Sequence, residues 1–101
     1  MVDTLQQMKI STLFTIGGDG TMRGALAIHK EIKRRGLEMN LVGVPKTIDN
    51  DISFIDMSFG YITAVEASTA STYTAYVEAT GARNGIGLVK LMGRESGFIA
   101  A

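Results

Sequence analysis

Two acids flank an asparagine in a polar stretch of the chain, Asp49 and Asp51 around Asn50. Two carboxylates this close in a loop could divide the work of accepting a proton and binding a metal ion. Loop Asp and Asn side chains also commonly bond their own backbone, so a simple Asx turn is the alternative interpretation. Lys46 and Thr47, just before the acids, favour a functional loop.

A glycine-rich turn occupies residues 17–21, where Gly17, Gly18 and Gly20 surround Asp19. Glycines let backbone amides approach a phosphate, and a following helix offers its N-terminal partial charge to the same anion. A carboxylate beside a phosphate needs a cation between them, so Asp19 suggests a bridging Mg²⁺. A tight turn in which Asp19 or Thr21 caps the next helix fits the same residues equally well.

Arg94 follows Met92 and Gly93 at the end of an apolar run. Its planar guanidinium could bind a phosphate or a sugar phosphate there. An ordinary ion pair with Glu95 or another carboxylate is the alternative.

Short apolar runs that alternate with helical patterns would position these loops. Residues 13–16 and 41–44 are predicted strands, and residues 22–35 a helix between them that stops at Gly36. The two strands are expected to be parallel, with a right-handed crossover. Further predictions, in chain order, are the last turns of a helix over 2–8, a helix over 63–80, a third strand over 85–92 and the start of a helix after 97.

This alternation predicts an α/β fold with a parallel sheet and helices on both faces, in which ligands bind beyond the carboxyl ends of the strands. The loops 17–21, 45–51 and 92–97 would leave the sheet at that edge. Composition adds little: 101 residues with ten basic and ten acidic side chains offer no electrostatic footprint for nucleic acid or a membrane. The absence of cysteine, of an export signal and of a bilayer-length apolar run makes the cytoplasm the default location.

Three motifs in order, Gly-Gly-Asp-Gly-Thr at 17–21, Pro-Lys-Thr-Ile-Asp-Asn-Asp at 45–51 and Met-Gly-Arg-Glu-Ser-Gly-Phe at 92–98, resemble the phosphofructokinase family. NAD kinases and diacylglycerol kinases share the first motif, but the second and third together are specific. The resemblance covers almost the whole chain. It implies that residues 1–101 are an incomplete portion of a phosphofructokinase domain, a Rossmann-like three-layer sandwich.

The resemblance implies ATP-dependent phosphorylation of fructose 6-phosphate at its 1-hydroxyl, giving fructose 1,6-bisphosphate and ADP in the committed step of glycolysis. Asp49 would accept the hydroxyl proton, and Asp19 and Asp51 would manage Mg²⁺. The residues expected at the sugar are Thr47, Ile48, Asp49, Met92, Gly93 and Arg94. Those expected at the nucleotide are Gly18, Asp19, Gly20 and Thr21.

The phosphoryl donor is assigned from two positions that disagree. Gly20 resembles ATP-dependent members, because pyrophosphate users typically carry an aspartate there that would crowd the α-phosphate. Lys46 resembles pyrophosphate users, so pyrophosphate is the alternative donor. The combination of Gly20 with Lys46 resembles the plant and protist group of ATP-dependent members, so ATP is the favoured donor.

Other parts of the family's active site would lie outside this chain, including its first nucleotide-binding glycine loop. The chain alone is therefore expected to be inactive, and the complete protein is expected to be a homo-oligomer. A truncated, non-catalytic phosphate-binding or assembly fragment is the alternative from another functional class.

Overall fold

The computed structural model describes residues 1–101, the whole chain, as two compact units, Met1–Lys46 and Thr47–Ala101. The first unit carries helix α1 (Val2–Gln7), strand β1 (Thr12–Gly17), helix α2 (Asp19–Arg34) and strand β2 (Asn40–Pro45). The second unit carries helix α3 (Tyr61–Thr80) between two irregular segments.

The first unit is built around a parallel pair of strands. β1 and β2 run side by side, with Ile16 opposite Val44. α2 connects them and packs against both, while α1 packs against α2. A Cβ atom placed on Gly43 would lie 2.9 Å from the Met22 sulfur, so helix and sheet approach closely there. The predicted strand, helix and parallel strand are confirmed.

Side chains alternate across β1, as they must in a pleated strand. Leu13 and Thr15 are half-buried, whereas Phe14 and Ile16 are each 62% exposed. The buried apolar side chains of this unit are few and small for its length, namely Val2, Ala25 and Ile32. One face of the strand pair therefore remains in contact with solvent in this chain.

The end of α2 is fixed by its glycine, as predicted. Gly36 adopts φ +63°, a left-handed conformation that costs glycine nothing. Its N–H donates to the Lys33 carbonyl at 3.1 Å, and the Leu37 N–H donates to the Ile32 carbonyl at 3.2 Å. These two bonds form a Schellman motif, which satisfies carbonyls that the helix end would otherwise leave free.

α3 is continuous from Tyr61 to Thr80, so the Ser and Thr residues in its middle do not break it. Their hydroxyls donate to carbonyls three or four residues earlier, for example Ser68 to Val65 at 2.8 Å and Thr72 to Ser68 at 3.0 Å. Such back-bonding lets a polar side chain remain in a helix at little cost.

The predicted third strand over residues 85–92 is wrong for this chain, because the segment has no strand beside it with which to form a ladder. It instead passes close to α3: a Cβ on Gly85 would lie 2.1 Å from the Ala79 carbonyl oxygen, and one on Gly87 2.8 Å from that of Ala75. The predicted helix start after Gly97 is a single turn, in which Ala100 and Ala101 both donate to the Gly97 carbonyl.

A parallel strand pair connected by a helix confirms the predicted α/β class, here as an incomplete portion of such a fold. None of the helices has the length and hydropathy that crossing a bilayer would require.

Candidate active site

The loop after β2 is held in shape by two of its own side chains. The Asp49 N–H donates to the Thr47 hydroxyl oxygen at 3.1 Å, and the Asn50 amide oxygen accepts from the Ser58 N–H at 2.8 Å. Asn50 adopts φ +51°, in the left-handed region that asparagine tolerates well. Thr47 and Asn50 therefore stabilise the turn, and the Thr47 hydroxyl also makes a long hydrogen bond to Asp51 Oδ1 at 3.5 Å. The Asp49 carboxylate takes no part in the turn.

Ser58 anchors the same loop from the inside. Its side chain is 2% exposed, and its hydroxyl donates to the Thr47 carbonyl at 2.6 Å. The Asn50 amide nitrogen donates to the Asp56 carbonyl at 3.1 Å, which closes the loop onto the residues before α3. A buried hydroxyl with a satisfied bond makes the loop conformation well defined.

Arg94 contacts both acids of the loop. Its guanidinium Nη2 lies 3.0 Å from Asp51 Oδ2, and its backbone N–H donates to Asp49 Oδ1 at 3.3 Å. Hydrogen bonding to Asp51, together with the attraction of that carboxylate, raises the pKa of Arg94. The ion pair considered as the alternative from the sequence is therefore present, and its carboxylate is that of Asp51 rather than Glu95.

A third contact joins the two segments through the main chain. The Ser96 hydroxyl donates to the Asp49 carbonyl at 2.7 Å. The turn before it is tight, because a Cβ on Gly93 would lie 2.4 Å from the Ser96 carbonyl oxygen. Residues 93–96 therefore form a compact turn that lies directly on residues 47–51, which we call the acidic loop.

These two segments enclose an open cleft of about 390 Å³, which Asp49 and Arg94 both line together with five other residues, Ile48, Lys90, Leu91, Met92 and Gly93. A larger hollow of about 780 Å³ runs along α3, but its lining contains no acidic or basic side chain. Of these two hollows, only the smaller one has the charged side chains that proton transfer or charge stabilisation would need.

The glycine turn lies in the first unit, at the start of α2. Gly18 occupies the N-cap position without a side-chain cap, so the capping role considered for Asp19 and Thr21 is wrong. The Asp19 carboxylate instead pairs with Arg23 at 2.9 Å, both side chains being substantially exposed. A Cβ on Gly17 would lie 2.2 Å from the Thr21 hydroxyl, whereas one on Gly20 would meet nothing within 4 Å.

The donors available to a metal ion are carboxylate oxygens, the ligand type that Mg²⁺ prefers. No group of three or more acidic, histidine or cysteine side chains is placed to hold a metal by itself. Mg²⁺ is commonly held by one or two carboxylates, with waters and substrate phosphates supplying its other ligands. Asp19 and Asp51 fit that pattern as single carboxylates, each now paired with an arginine.

Comparison with known proteins decides the family. The family model described as phosphofructokinase matches residues 1–101. The chain belongs to the phosphofructokinase family. Among its relatives, proteins named ATP-dependent 6-phosphofructokinase are 58% identical in Trypanosoma brucei brucei and 56% identical in Borreliella burgdorferi, each over 100% of this chain. ATP-dependent 6-phosphofructokinase 1 of Arabidopsis thaliana is 56% identical over 99% of it.

The chain spans about a fifth of the length of these relatives, 21% of the trypanosome protein and 23% of the Borreliella one. Five of the six residues that the resemblance assigned to the sugar line the same cleft, namely Ile48, Asp49, Met92, Gly93 and Arg94. Thr47 supports them through its hydrogen bond to the Asp49 N–H. The four residues assigned to the nucleotide are the N-cap of α2, Gly18, and three residues of its first turn, Asp19, Gly20 and Thr21.

Three residues of this phosphofructokinase segment have places in the site that the sequence did not indicate, namely Lys90, Ser58 and Ser96. Lys90 lines the cleft, and it lies two residues before Met92, the spacing that puts side chains on one side of an extended segment. That spacing was a signal for Lys90. Ser58 and Ser96 gave no such signal, because each acts by reaching a carbonyl far along the chain.

Proposed function

We propose that this chain supplies the central catalytic segment of an ATP-dependent 6-phosphofructokinase. The reaction is transfer of the γ-phosphoryl group of ATP to the 1-hydroxyl of fructose 6-phosphate, giving fructose 1,6-bisphosphate and ADP in glycolysis. The observation that carries the proposal is the joining of Asp49, Asp51 and Arg94 by hydrogen bonds beside an open cleft. The names of the relatives, which match over the whole chain, support it.

Asp49 is the proton acceptor in this proposal. The hydrogen bond from the Arg94 N–H occupies Oδ1 and leaves Oδ2 available to an incoming hydroxyl. The 1-hydroxyl oxygen attacks the γ-phosphorus, its proton passes to Asp49, and the bond to the leaving ADP oxygen breaks. Because phosphoryl transfer depends mainly on positioning and on cancellation of charge, one correctly placed carboxylate suffices for the proton.

Arg94 supplies positive charge at the same place. Its guanidinium is 66% exposed while it pairs with Asp51, so a phosphate can approach it without displacing a buried group. Met92 and Gly93 line the cleft just before it and would contact the sugar. The segment 92–94 therefore acts as the part of the fructose 6-phosphate site that lies nearest the reacting hydroxyl.

The nucleotide is assigned to the turn at the start of α2. The first N–H groups of a helix without a side-chain cap are available to a phosphate, and Gly18 and Gly20 let it approach closely. Mg²⁺, when bound through Asp19 or Asp51 together with phosphate oxygens, would neutralise the charge of the transferred group. Cytoplasmic location and assembly into a homo-oligomer are part of the same proposal.

ATP is preferred to pyrophosphate as the donor for two reasons. The relatives reported above are all named ATP-dependent, and the space beside Gly20 is open. Lys46 is the observation that favours pyrophosphate. Its backbone N–H donates to the Gly17 carbonyl at 2.8 Å, so its backbone is fixed next to the glycine turn.

The test is phosphorylation of fructose 6-phosphate by the complete protein that contains this chain, with ATP and pyrophosphate supplied in separate assays. Asp49→Asn should lower kcat by at least about a thousandfold, because the amide cannot accept the proton. Asp56→Asn is the matched control, since Asp56 is an exposed acid nearby whose side chain makes no hydrogen bond and whose loop contact is through its main-chain carbonyl. Turnover with pyrophosphate alone would overturn the choice of donor, and turnover with neither donor would overturn the proposed function.

A further inference from the structure

The acidic loop and the turn at residues 93–96 are joined by three hydrogen bonds that differ in one respect. Two of them end on carboxylate oxygens, Asp49 Oδ1 and Asp51 Oδ2, and so belong to the groups that must meet a proton, a metal ion or a substrate. The third, from the Ser96 hydroxyl, ends on the main-chain carbonyl of Asp49. It is the bond of the three that can persist unchanged while the carboxylates react.

We infer that Ser96 is a positioning residue, which holds the backbone of Asp49 so that its carboxylate stays in place relative to Arg94. This inference rests on the proposed function. The Ser96 hydroxyl is partly buried and lies 2.7 Å from the Asp49 carbonyl oxygen, a good distance for a neutral hydrogen bond. No other residue of the chain donates a side-chain hydrogen bond to that carbonyl.

The loop has a second anchor, and the two act on opposite sides of the proton acceptor. The Ser58 hydroxyl donates to the carbonyl of Thr47, two residues before Asp49. The Ser96 hydroxyl donates to the carbonyl of Asp49 itself. Between the two anchored carbonyls only Ile48 and the Asp49 backbone remain to be set, and the Asp49 N–H is itself bonded to Thr47. Removing the Ser96 hydroxyl would therefore release the Asp49 carbonyl while leaving the Ser58 anchor in place.

A loss of positioning has a kinetic signature. A displacement of about 1 Å at a reacting group can lower the rate by about a hundredfold. Sugar binding depends on several groups to which the Ser96 hydroxyl makes no hydrogen bond, such as Ile48 and Met92 in the cleft. We therefore expect the effect on kcat, with little change in the KM for fructose 6-phosphate.

The experiment compares Ser96→Ala, Ser96→Thr and Ser68→Ala in the complete protein. Ser68 is the matched control, because its hydroxyl also donates to a backbone carbonyl, that of Val65 at 2.8 Å, but within α3. Ser96→Ala should lower kcat about tenfold with the KM for fructose 6-phosphate changed less than twofold, Ser96→Thr should restore most of the rate, and Ser68→Ala should leave kcat unchanged.

A second measurement does not depend on activity. Hydrogen exchange of the amides in residues 47–51, followed by mass spectrometry without substrate, should be several-fold faster in Ser96→Ala than in Ser68→Ala. Faster exchange in a protein that phosphorylates no sugar would sink the proposed function but keep the role of Ser96 in holding the loop. Unchanged exchange overturns the inference, as does a rise in KM without a fall in kcat, or a threonine variant no faster than the alanine one.

Discussion

Arg94 contacts two acids, one through its backbone and the other through its side chain. The backbone N–H bonds Asp49, and the guanidinium bonds Asp51 at 3.0 Å. Because the Arg94 side chain is 66% exposed, the ion pair is screened by water and contributes little to folding stability. We therefore expect this contact to matter chiefly for holding the guanidinium at the cleft that Arg94 lines.

Replacing Arg94 by lysine tests that argument, because lysine keeps the charge but loses the planar fork. In the complete protein, Arg94→Lys should lower kcat/KM for fructose 6-phosphate by about 10- to 100-fold. The unfolding temperature should not change, since the pair is exposed. Arg83→Lys, at an exposed arginine without an ion-pair partner, is the control. Wild-type kcat/KM in Arg94→Lys would show that charge alone is sufficient.

At the level of single residues, the sequence predicted a set of side chains that the structure brings together and missed the serines that hold their loop. Asp49, Asp51 and Arg94 were identified from their types and their immediate neighbours. Ser58 lies in no motif, and Ser96 lies in the motif at 92–98 without an assigned role; the contacts of both depend on which carbonyls the fold brings to them. Such contacts join residues 11 and 47 positions apart, so local pattern could not show them.

The same distinction holds for the helices and strands. β1, β2 and α2 were predicted because their signals are local: apolar runs, a helical stripe and a stopping glycine. The apolar run over 85–92 has the same composition as a strand, yet a strand exists only where another strand offers its backbone. The failure of that prediction reflects the missing partner, not the sequence of the run.

α1 is attached to α2 by a network of charged side chains. Glu31 accepts hydrogen bonds from Arg34 at 2.7 Å and from Arg35 at 2.6 Å, and Arg35 also bonds Asp3 of α1. These bonds lower the pKa of Glu31 from 4.5 to about 2, and the bond from Arg35 lowers the pKa of Asp3. The network therefore stabilises the contact between the two helices as long as Glu31 is ionised.

The pH dependence of this contact has a definite sign. A folded-state pKa below the unfolded value means that Glu31 contributes stability above pH 4.5 and loses that contribution as the pH falls toward 2. Glu31→Gln should therefore lower the unfolding temperature of the complete protein at pH 7, with the difference from wild type vanishing toward pH 2 and shrinking in high salt. Glu38→Gln, at an exposed acid with no ion pair, should show neither effect. A pH-independent difference would assign the loss to packing instead.

For the whole chain, the balance between buried and exposed apolar surface is unusual. The buried apolar side chains are Val2, Ala25, Ile32 and Ile99, none of them aromatic. Large apolar side chains remain exposed in both units, for example Phe14 at 62% and Leu88 at 92%. Burial of apolar surface is the main favourable term in folding, and it must offset the conformational entropy lost by every ordered residue. With so little apolar surface buried, we expect this chain by itself to have a low free energy of unfolding.

The chain expressed alone should therefore lack a cooperative unfolding transition and should bind the dye ANS, which reports exposed apolar surface. It should phosphorylate no fructose 6-phosphate. The complete protein is the control, measured under the same conditions, and should unfold cooperatively with weak dye binding, because its remaining residues would cover the apolar side chains left open here, such as Phe14 and Ile16. A sharp calorimetric transition in the isolated chain would contradict this, and would mean that two small units with four buried apolar side chains suffice to fold.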